Sequence, residues 1–259
     1  MSTAPNLFAE LSGKSVLITG ASTGIGAALA RAFAAQGAKV GVHYHASKDA
    51  AEKLAEEISA AGGTATLIRA DVSRSDEARR AVDEAAEAFG GLDGLINNAG
   101  GMVKRVPYED VTDEDYDAVM DLNARQVVIA SRAAVPHMKA QGGFIINTTS
   151  IAARNGGGGG AGLYGSSKAF VSNITRGMAK EWIRYGIRVN AVAPGVITTP
   201  FHERYSTEAQ MEAMLATVPQ GRLGTAEDCV GAYLFLAAES LSAYLIGQVI
   251  EVNGGQLMP

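Results

Sequence analysis

The chain has 259 residues, 47% of them hydrophobic, and 22 Lys and Arg against 27 Asp and Glu, a net charge of −5. That suits one large core, and the acidic balance offers no basic field to draw the chain to nucleic acid or an anionic membrane surface. Cys229 is the only cysteine, which excludes an internal disulfide framework and a multi-cysteine metal site and fits a reducing compartment.

Residues 1–10 carry neither a basic start nor an apolar run, so they do not read as a secretory signal, and no run of the chain is long enough to span a bilayer. The expectation is a cytoplasmic protein. Residues 14–20, Lys-Ser-Val-Leu-Ile-Thr-Gly, form a short apolar run ending in glycine, as a buried parallel strand does. An Ala- and Leu-rich helix follows over 26–36, stopped by Gly37, before a second strand at 38–42. The alternation repeats: helix 48–61, strand 64–70, helix 76–89, strand 92–96, helices 112–121 and 124–140, and strand 144–147. Beyond a helix around 164–171 come strand 187–192, helix 225–238 and strand 248–252. Regular strand and helix alternation predicts an α/β fold: one Rossmann-type domain over 1–259, a doubly wound parallel sheet with helices on both faces. Residues 156–160 are all glycine, a loop that must bend sharply or approach something closely. The stretch 200–221 holds a helical patch at 207–217 between Pro200 and Pro219 and is a candidate substrate lid.

Several motifs lie at strand ends. Thr19-Gly20-Ala21-Ser22-Thr23-Gly24-Ile25-Gly26 follows the first strand and opens the first helix, the context of a phosphate-binding turn. A plain tight turn is the other reading. Asp71 and Val72 end the third strand, where a carboxylate can accept from an adenine amino group or cap the next helix. Asn97-Asn98-Ala99-Gly100-Gly101 closes the fourth strand with amides able to bond neighbouring backbone and small residues that leave room for a ribose. Asn123, between two helical segments, is either a cap or a kink that frees a carbonyl for water. Ser150 follows the fifth strand, as a turn former or as a donor to a substrate carbonyl. In Tyr164-Gly165-Ser166-Ser167-Lys168 a spacing of four puts phenol and ammonium on one helical face. A nearby cation lowers a phenol's pKa of about 10 by about one to three units, toward general acid/base work.

Together these motifs resemble the short-chain dehydrogenase/reductase family over residues 11–256. They occur in family order: the turn at 19–26, Asn97-Asn98-Ala99-Gly100, Ser150 with Tyr164 and Lys168, and Pro194-Gly195 followed by Ile197 and Thr199. The resemblance implies Tyr164 as acid/base and Lys168 as the group that lowers its pKa and binds the nicotinamide ribose. It also implies Ser150 as the carbonyl's partner, Asn123 as holder of a relay water, and Pro194, Gly195, Ile197 and Thr199 against the nicotinamide. No metal is required. The second strand ends in His43-Tyr44-His45-Ala46-Ser47-Lys48, without the carboxylate that NAD-selective members usually carry there. His45, Ser47 and Lys48 suit a 2′-phosphate, so NADP(H) is favoured and NAD(H) possible, although Thr23 stands where NADP-users often have a basic residue.

Gly101-Met102-Val103, the glycine run and Phe201-His202 are similar to bacterial reductases of alginate-derived keto-uronates, which act on a 4-deoxy-5-ketouronate. Arg154, Arg105, His202 and Arg204 are candidates to meet its carboxylate. Other sugar or sugar-alcohol dehydrogenases, 3-oxoacyl-thioester reductases and a non-catalytic dinucleotide sensor are the alternatives. The resemblance also implies a homo-oligomer, tetramer or dimer, through the helices at 124–140 and 165–185.

Overall fold

The computed structural model describes residues 6–258, so the first five residues of the stretch judged unlike a signal fall outside it. Seven strands form one wholly parallel sheet in the order β3-β2-β1-β4-β5-β6-β7. They are β1 Ser15–Ile18, β2 Lys39–Tyr44, β3 Thr64–Arg69, β4 Gly94–Asn97, β5 Gly143–Thr148, β6 Ile187–Pro194 and β7 Val249–Val252. The long connections are α1 Gly24–Ala35, α2 Lys48–Ala60, α3 Ser75–Phe89, α4 Asp113–Met120 and α5 Gln126–Met138. They continue with α6 Ala152–Asn155, α7 Gly162–Trp182, α8 Pro200–Tyr205, α9 Glu208–Leu215, α10 Ala226–Ala237 and α11 Glu239–Ser242.

The pleat of β1 shows why the sheet is covered on both faces. Val16 and Ile18 point into a core shared with Phe33 of α1, Leu54 of α2 and Tyr233 of α10. Leu17 points the other way, onto Val82 of α3, Ala134 of α5 and Met178 of α7. Successive strand residues face opposite sides, so a strand buried on both must be apolar throughout, and β1 is. Burying a Leu or Ile side chain contributes about 1.5–3 kcal/mol, and this layered core supplies most of the driving force.

Strand order reverses between β1 and β4, and there the connections diverge and open a crevice at the strands' carboxyl ends. Two local features shape that crevice. The segments expected at 112–121 and 124–140 form one rod, broken by a π-helical turn over Asp121–Arg125 that contains Asn123. The stretch 200–221, expected to be helical at 207–217, also holds the short helix α8, with Pro200 in its first turn, where a missing N–H costs nothing.

Candidate active site

The crevice is a cleft of about 700 Å³. Gly20, Ser22, Thr23, Gly24 and Ile25 form its floor at the start of α1; Tyr44, His45 and Ser47 close one end; Asp71, Val72, Asn98, Ala99 and Gly100 form one wall. Ser150, Tyr164 and Lys168 stand beyond them, faced by Pro194, Gly195, Ile197, Thr199 and His202.

The turn at 19–26 is built to present backbone. Gly20 and Gly24 have positive φ, and a Cβ on Gly20 would stand 2.9 Å from Ala99 Cα. Gly26 lies behind the turn, where a Cβ would collide with the Gly20 carbonyl oxygen and come within 2.7 Å of Asn98 Nδ2. Asn98 Nδ2 donates to the carbonyls of Thr19 and Gly20 at 3.0 and 3.1 Å, and Thr19 Oγ1 accepts from the amides of Asn98 and Ala99. Thr23, at the helix N-cap, makes no side-chain cap bond. The first N–H groups of α1 therefore face the cleft without a side-chain acceptor, as a pyrophosphate would need. On this observation the residues present fit a dinucleotide.

A histidine at the end of β2 also holds this turn. His43 is buried, accepts from Gly20 N at Nδ1 (2.9 Å) and donates from Nε2 to Ala70 O (3.0 Å). It thus ties the ends of β1 and β3 together across β2. Burial lowers its pKa to about 4, so the imidazole is neutral.

Asn123 does not line the cleft. It is fully buried, accepts from Gly101 N (3.0 Å), and donates to the carbonyls of Gly101 (2.7 Å) and Val119 (2.9 Å). It nonetheless approaches Lys168: a Cβ on Gly100 would lie 2.8 Å from Asn123 Oδ1 and 3.0 Å from Lys168 Nζ. Beneath them runs a buried polar string from α5 to α7. Asn97 Nδ2 donates to Ser131 Oγ and Asn147 Oδ1, and Asn147 Nδ2 donates to Thr175 Oγ1.

Tyr164 is half-buried, with Lys168 Nζ 5.8 Å from its ring centre, and Lys168 donates to Thr148 O at 2.9 Å. The expected lowering of the phenol by the ammonium is not what the structure shows. Burial pushes Tyr164 up to about 12, against a smaller downward pull from the Ser150 hydroxyl, and pushes Lys168 down to about 8. Desolvation disfavours both charged forms.

Three further expectations are altered. Arg154 is exposed and lines a separate pocket with Arg176 and Glu251, because α6 turns its side chain toward β7. Lys48 also lies off the cleft, its ammonium paired with Glu52 at 3.4 Å. Asp71 lines the cleft, its Oδ1 accepting from the amide (3.1 Å) and hydroxyl (2.6 Å) of Ser73, and it does not cap α3. Phe201 packs 5.7 Å from the Tyr164 ring, and Gln210 and Met214, which no sequence motif marks, also line the cleft.

The family model described as enoyl-(acyl carrier protein) reductase matches residues 20–256. The chain is 39% identical over 246 residues to a 3-oxoacyl acyl-carrier-protein reductase, FabG, of Staphylococcus aureus, covering 95% of this chain and 98% of that one. Among solved structures it is similar to an NADH-dependent reductase, A1-R', responsible for alginate metabolism. Identity is 40%, the TM-score 0.89, and coverage 97% and 100% of the two chains. That reductase has also been solved with NAD. A short-chain dehydrogenase from Burkholderia cenocepacia, solved with NADP, is 36% identical over 95% of this chain and 98% of its own, with a TM-score of 0.88. With its seven-stranded sheet, its uncapped first helix and Ser150, Tyr164 and Lys168 at one strand-end cleft, this chain belongs to the short-chain dehydrogenase/reductase family of NAD(P)-dependent oxidoreductases.

Proposed function

We propose that the protein reduces the carbonyl of a small, polar, carbohydrate-derived substrate, and that this substrate is an alginate-derived 4-deoxy-5-ketouronate. The observation that carries the reading is the meeting of Ser150, Tyr164 and Lys168 beside a helix N-terminus with no side-chain cap. When bound, the nicotinamide cofactor supplies the hydride. Backbone amides of the turn at 19–26 hold its phosphates; Asn98, Ala99 and Gly100, with Pro194, Gly195, Ile197 and Thr199, flank the rest. Asp71 and Val72 face the adenine. The Ser150 hydroxyl orients the substrate oxygen, and Tyr164 gives that oxygen its proton as negative charge develops there. Lys168 reaches the ribose hydroxyls and stabilises the phenolate left behind; Asn123 keeps Gly101 and the adjoining π turn in place beneath it.

No carboxylate lines the cleft at the end of β2, where Tyr44, His45, Ala46 and Ser47 stand. This favours NADP(H), with NAD(H) accepted. The substrate carboxylate falls to Arg204, which lines the cleft, stacks on Tyr205 and has no carboxylate partner among the described residues, with His202 beside it. The segment 200–221 acts as the lid. Pairing of subunits through α5 and α7, where Phe170 is 41% exposed, makes the protein a dimer or tetramer. The lone buried thiol of Cys229 suits the cytoplasm. No helix among the described residues is long and apolar enough to cross a membrane.

The second reading, reduction of a 3-oxoacyl thioester, is favoured by the Staphylococcus relative. It calls for free cations at the mouth to meet an acidic carrier. Lys104 is instead paired with Asp115 at 2.7 Å. Steady-state oxidation of NADPH and NADH with the ketouronate, an acetoacetyl thioester and common sugars tests both readings. The expected outcome is turnover of the ketouronate, faster with NADPH; thioester turnover alone moves the substrate to the alternative. Tyr164→Phe should lose nearly all turnover and keep cofactor binding. A variant that kept its turnover would point to a dinucleotide sensor instead.

A further inference from the structure

Arg105 has the chemistry of a carboxylate clamp, but four of its five N–H donors are already committed. Nε donates to Tyr205 O at 2.6 Å, Nη1 to the carbonyls of Gly158 and Gly159 at 3.1 Å each, and Nη2 to Ser206 Oγ at 3.4 Å. Tyr205 ends α8, so the cation also sits at a helix carboxyl end. The glycine run on the other side leads directly into α7 and Tyr164, and Val106 N reinforces the junction by donating to Gly160 O at 2.9 Å. A Cβ on Gly160 would stand 2.8 Å from that nitrogen, which is why the loop there is glycine.

The segment that delivers Arg105 is strained. Val103 has φ of +63°, the only non-glycine residue among those described with positive φ, and Lys104 N donates back to Met102 O at 2.8 Å across it. A β-branched residue there costs on the order of 1–3 kcal/mol and persists only when its surroundings enforce it. Both flanks do so: Asn123 bonds both backbone groups of Gly101, and Lys104 is held by Asp115.

We propose that Arg105 is the latch of the lid, a positioning residue whose guanidinium ties the end of α8 to the glycine loop and so fixes Phe201 and His202 over Tyr164. This rests on the reading of 200–221 as a substrate lid. The packing supports the consequence. Phe201 lies 5.7 Å from the Tyr164 ring and 5.2 Å from Tyr205, so a shift at Tyr205 is felt at the catalytic phenol. His202 Nδ1 lies 3.1 Å from Ser206 Oγ, an atom the latch also holds. The strained turn connects Asn123 on one side of the cleft to the lid on the other.

The test pairs hydrogen exchange with kinetics on Arg105→Gln, using the alginate-derived ketouronate as probe. Amides of 156–160 and 200–206 should exchange at least 10-fold faster together, while the buried amides of α3 keep their protection. KM for the ketouronate should rise about 10-fold or more, with a smaller change in kcat and no change in NADPH affinity. Should α3 lose protection, Arg105→Lys, which retains charge and one donor, takes its place and should show the same pattern at reduced size. A raised KM without coupled exchange would overturn the latch and make Arg105 a substrate ligand. Coupled exchange with unchanged KM would overturn the lid reading and the proposal with it. Failure of the ketouronate to turn over in the unmodified protein would strike the substrate assignment alone; the same comparison then runs with whichever carbonyl compound is reduced. Independent exchange of the two segments overturns the latch whatever the substrate.

Discussion

Protonating His43 should loosen the phosphate turn, and the size of the effect follows from two pKa values. The folded state holds the imidazole at about 4 by burial, against an ordinary value of 6.5. A depressed histidine pKa means that the folded chain binds fewer protons than the unfolded one between those values. The stability it contributes is therefore present above pH 6.5 and lost as pH falls toward 4. Linkage puts the loss between pH 7 and pH 5 at about 2 kcal/mol, and nearer 3 kcal/mol once both pKa values are passed. The chemistry matches: a doubly protonated ring has no lone pair for Gly20 N, and two donors would then face each other. His43→Gln removes the titration while keeping a polar group. Chemical denaturation at fixed protein concentration, followed by Trp182 fluorescence at pH 7 and pH 5, should show a pH dependence shallower by about 2 kcal/mol in the variant. NADPH affinity of the unmodified protein should weaken over the same range, because Gly20 belongs to the turn that holds the phosphates. Parallel pH dependences in the two proteins would refute the reasoning.

Two other perturbations test the site directly. Gly26→Ala forces a methyl group against the Gly20 carbonyl and the Asn98 amide; overpacking of this kind costs about 1–3 kcal/mol, so NADPH affinity measured by fluorescence titration should fall about 10-fold or more. With Lys168 held near 8, carbonyl reduction should decline as pH rises through that value and the ammonium is lost; a rate that stays level to pH 10 would show that the charge is not required.

The layered fold was legible because its signals are local. Apolar runs such as Val16-Leu17-Ile18, bounded by polar or glycine residues, admit few readings, and their alternation with Ala-rich helices fixes a parallel sheet. The spacing of the proposed catalytic pair is local in the same way: Tyr164 and Lys168 lie one turn apart in α7. What stayed hidden depends on register between distant segments. His43 is significant only because Gly20 and Ala70, 23 and 27 residues away, meet it across the sheet. Arg154 and Arg105 look alike in sequence as clamps for an anion, yet one turns toward β7 and the other spends its donors on main-chain carbonyls. The string from Ser131 through Asn97 and Asn147 to Thr175 joins four elements, and of its four polar residues only Asn97 belongs to a motif. The helix α8 escaped because six residues opening on proline carry too little periodicity to register.

Burial is the other hidden quantity, and it changes how the Tyr164 and Lys168 pair works. Spacing alone predicts a phenol already brought down by its neighbour, whereas desolvation leaves it at about 12 and the amine at about 8. At neutral pH the phenol is then protonated and most of the lysine charged, which is the pairing that reduction needs at its start. As the proton moves to the substrate oxygen, a phenolate appears where water is scarce, and the attraction of a nearby ammonium is stronger there than in solvent. The lysine contributes little while the phenol is neutral and most once charge has developed on it. A contact that strengthens only along the reaction lowers the barrier rather than the ground state, so the burial that raises the phenol's pKa also makes the lysine's help selective for the transition state.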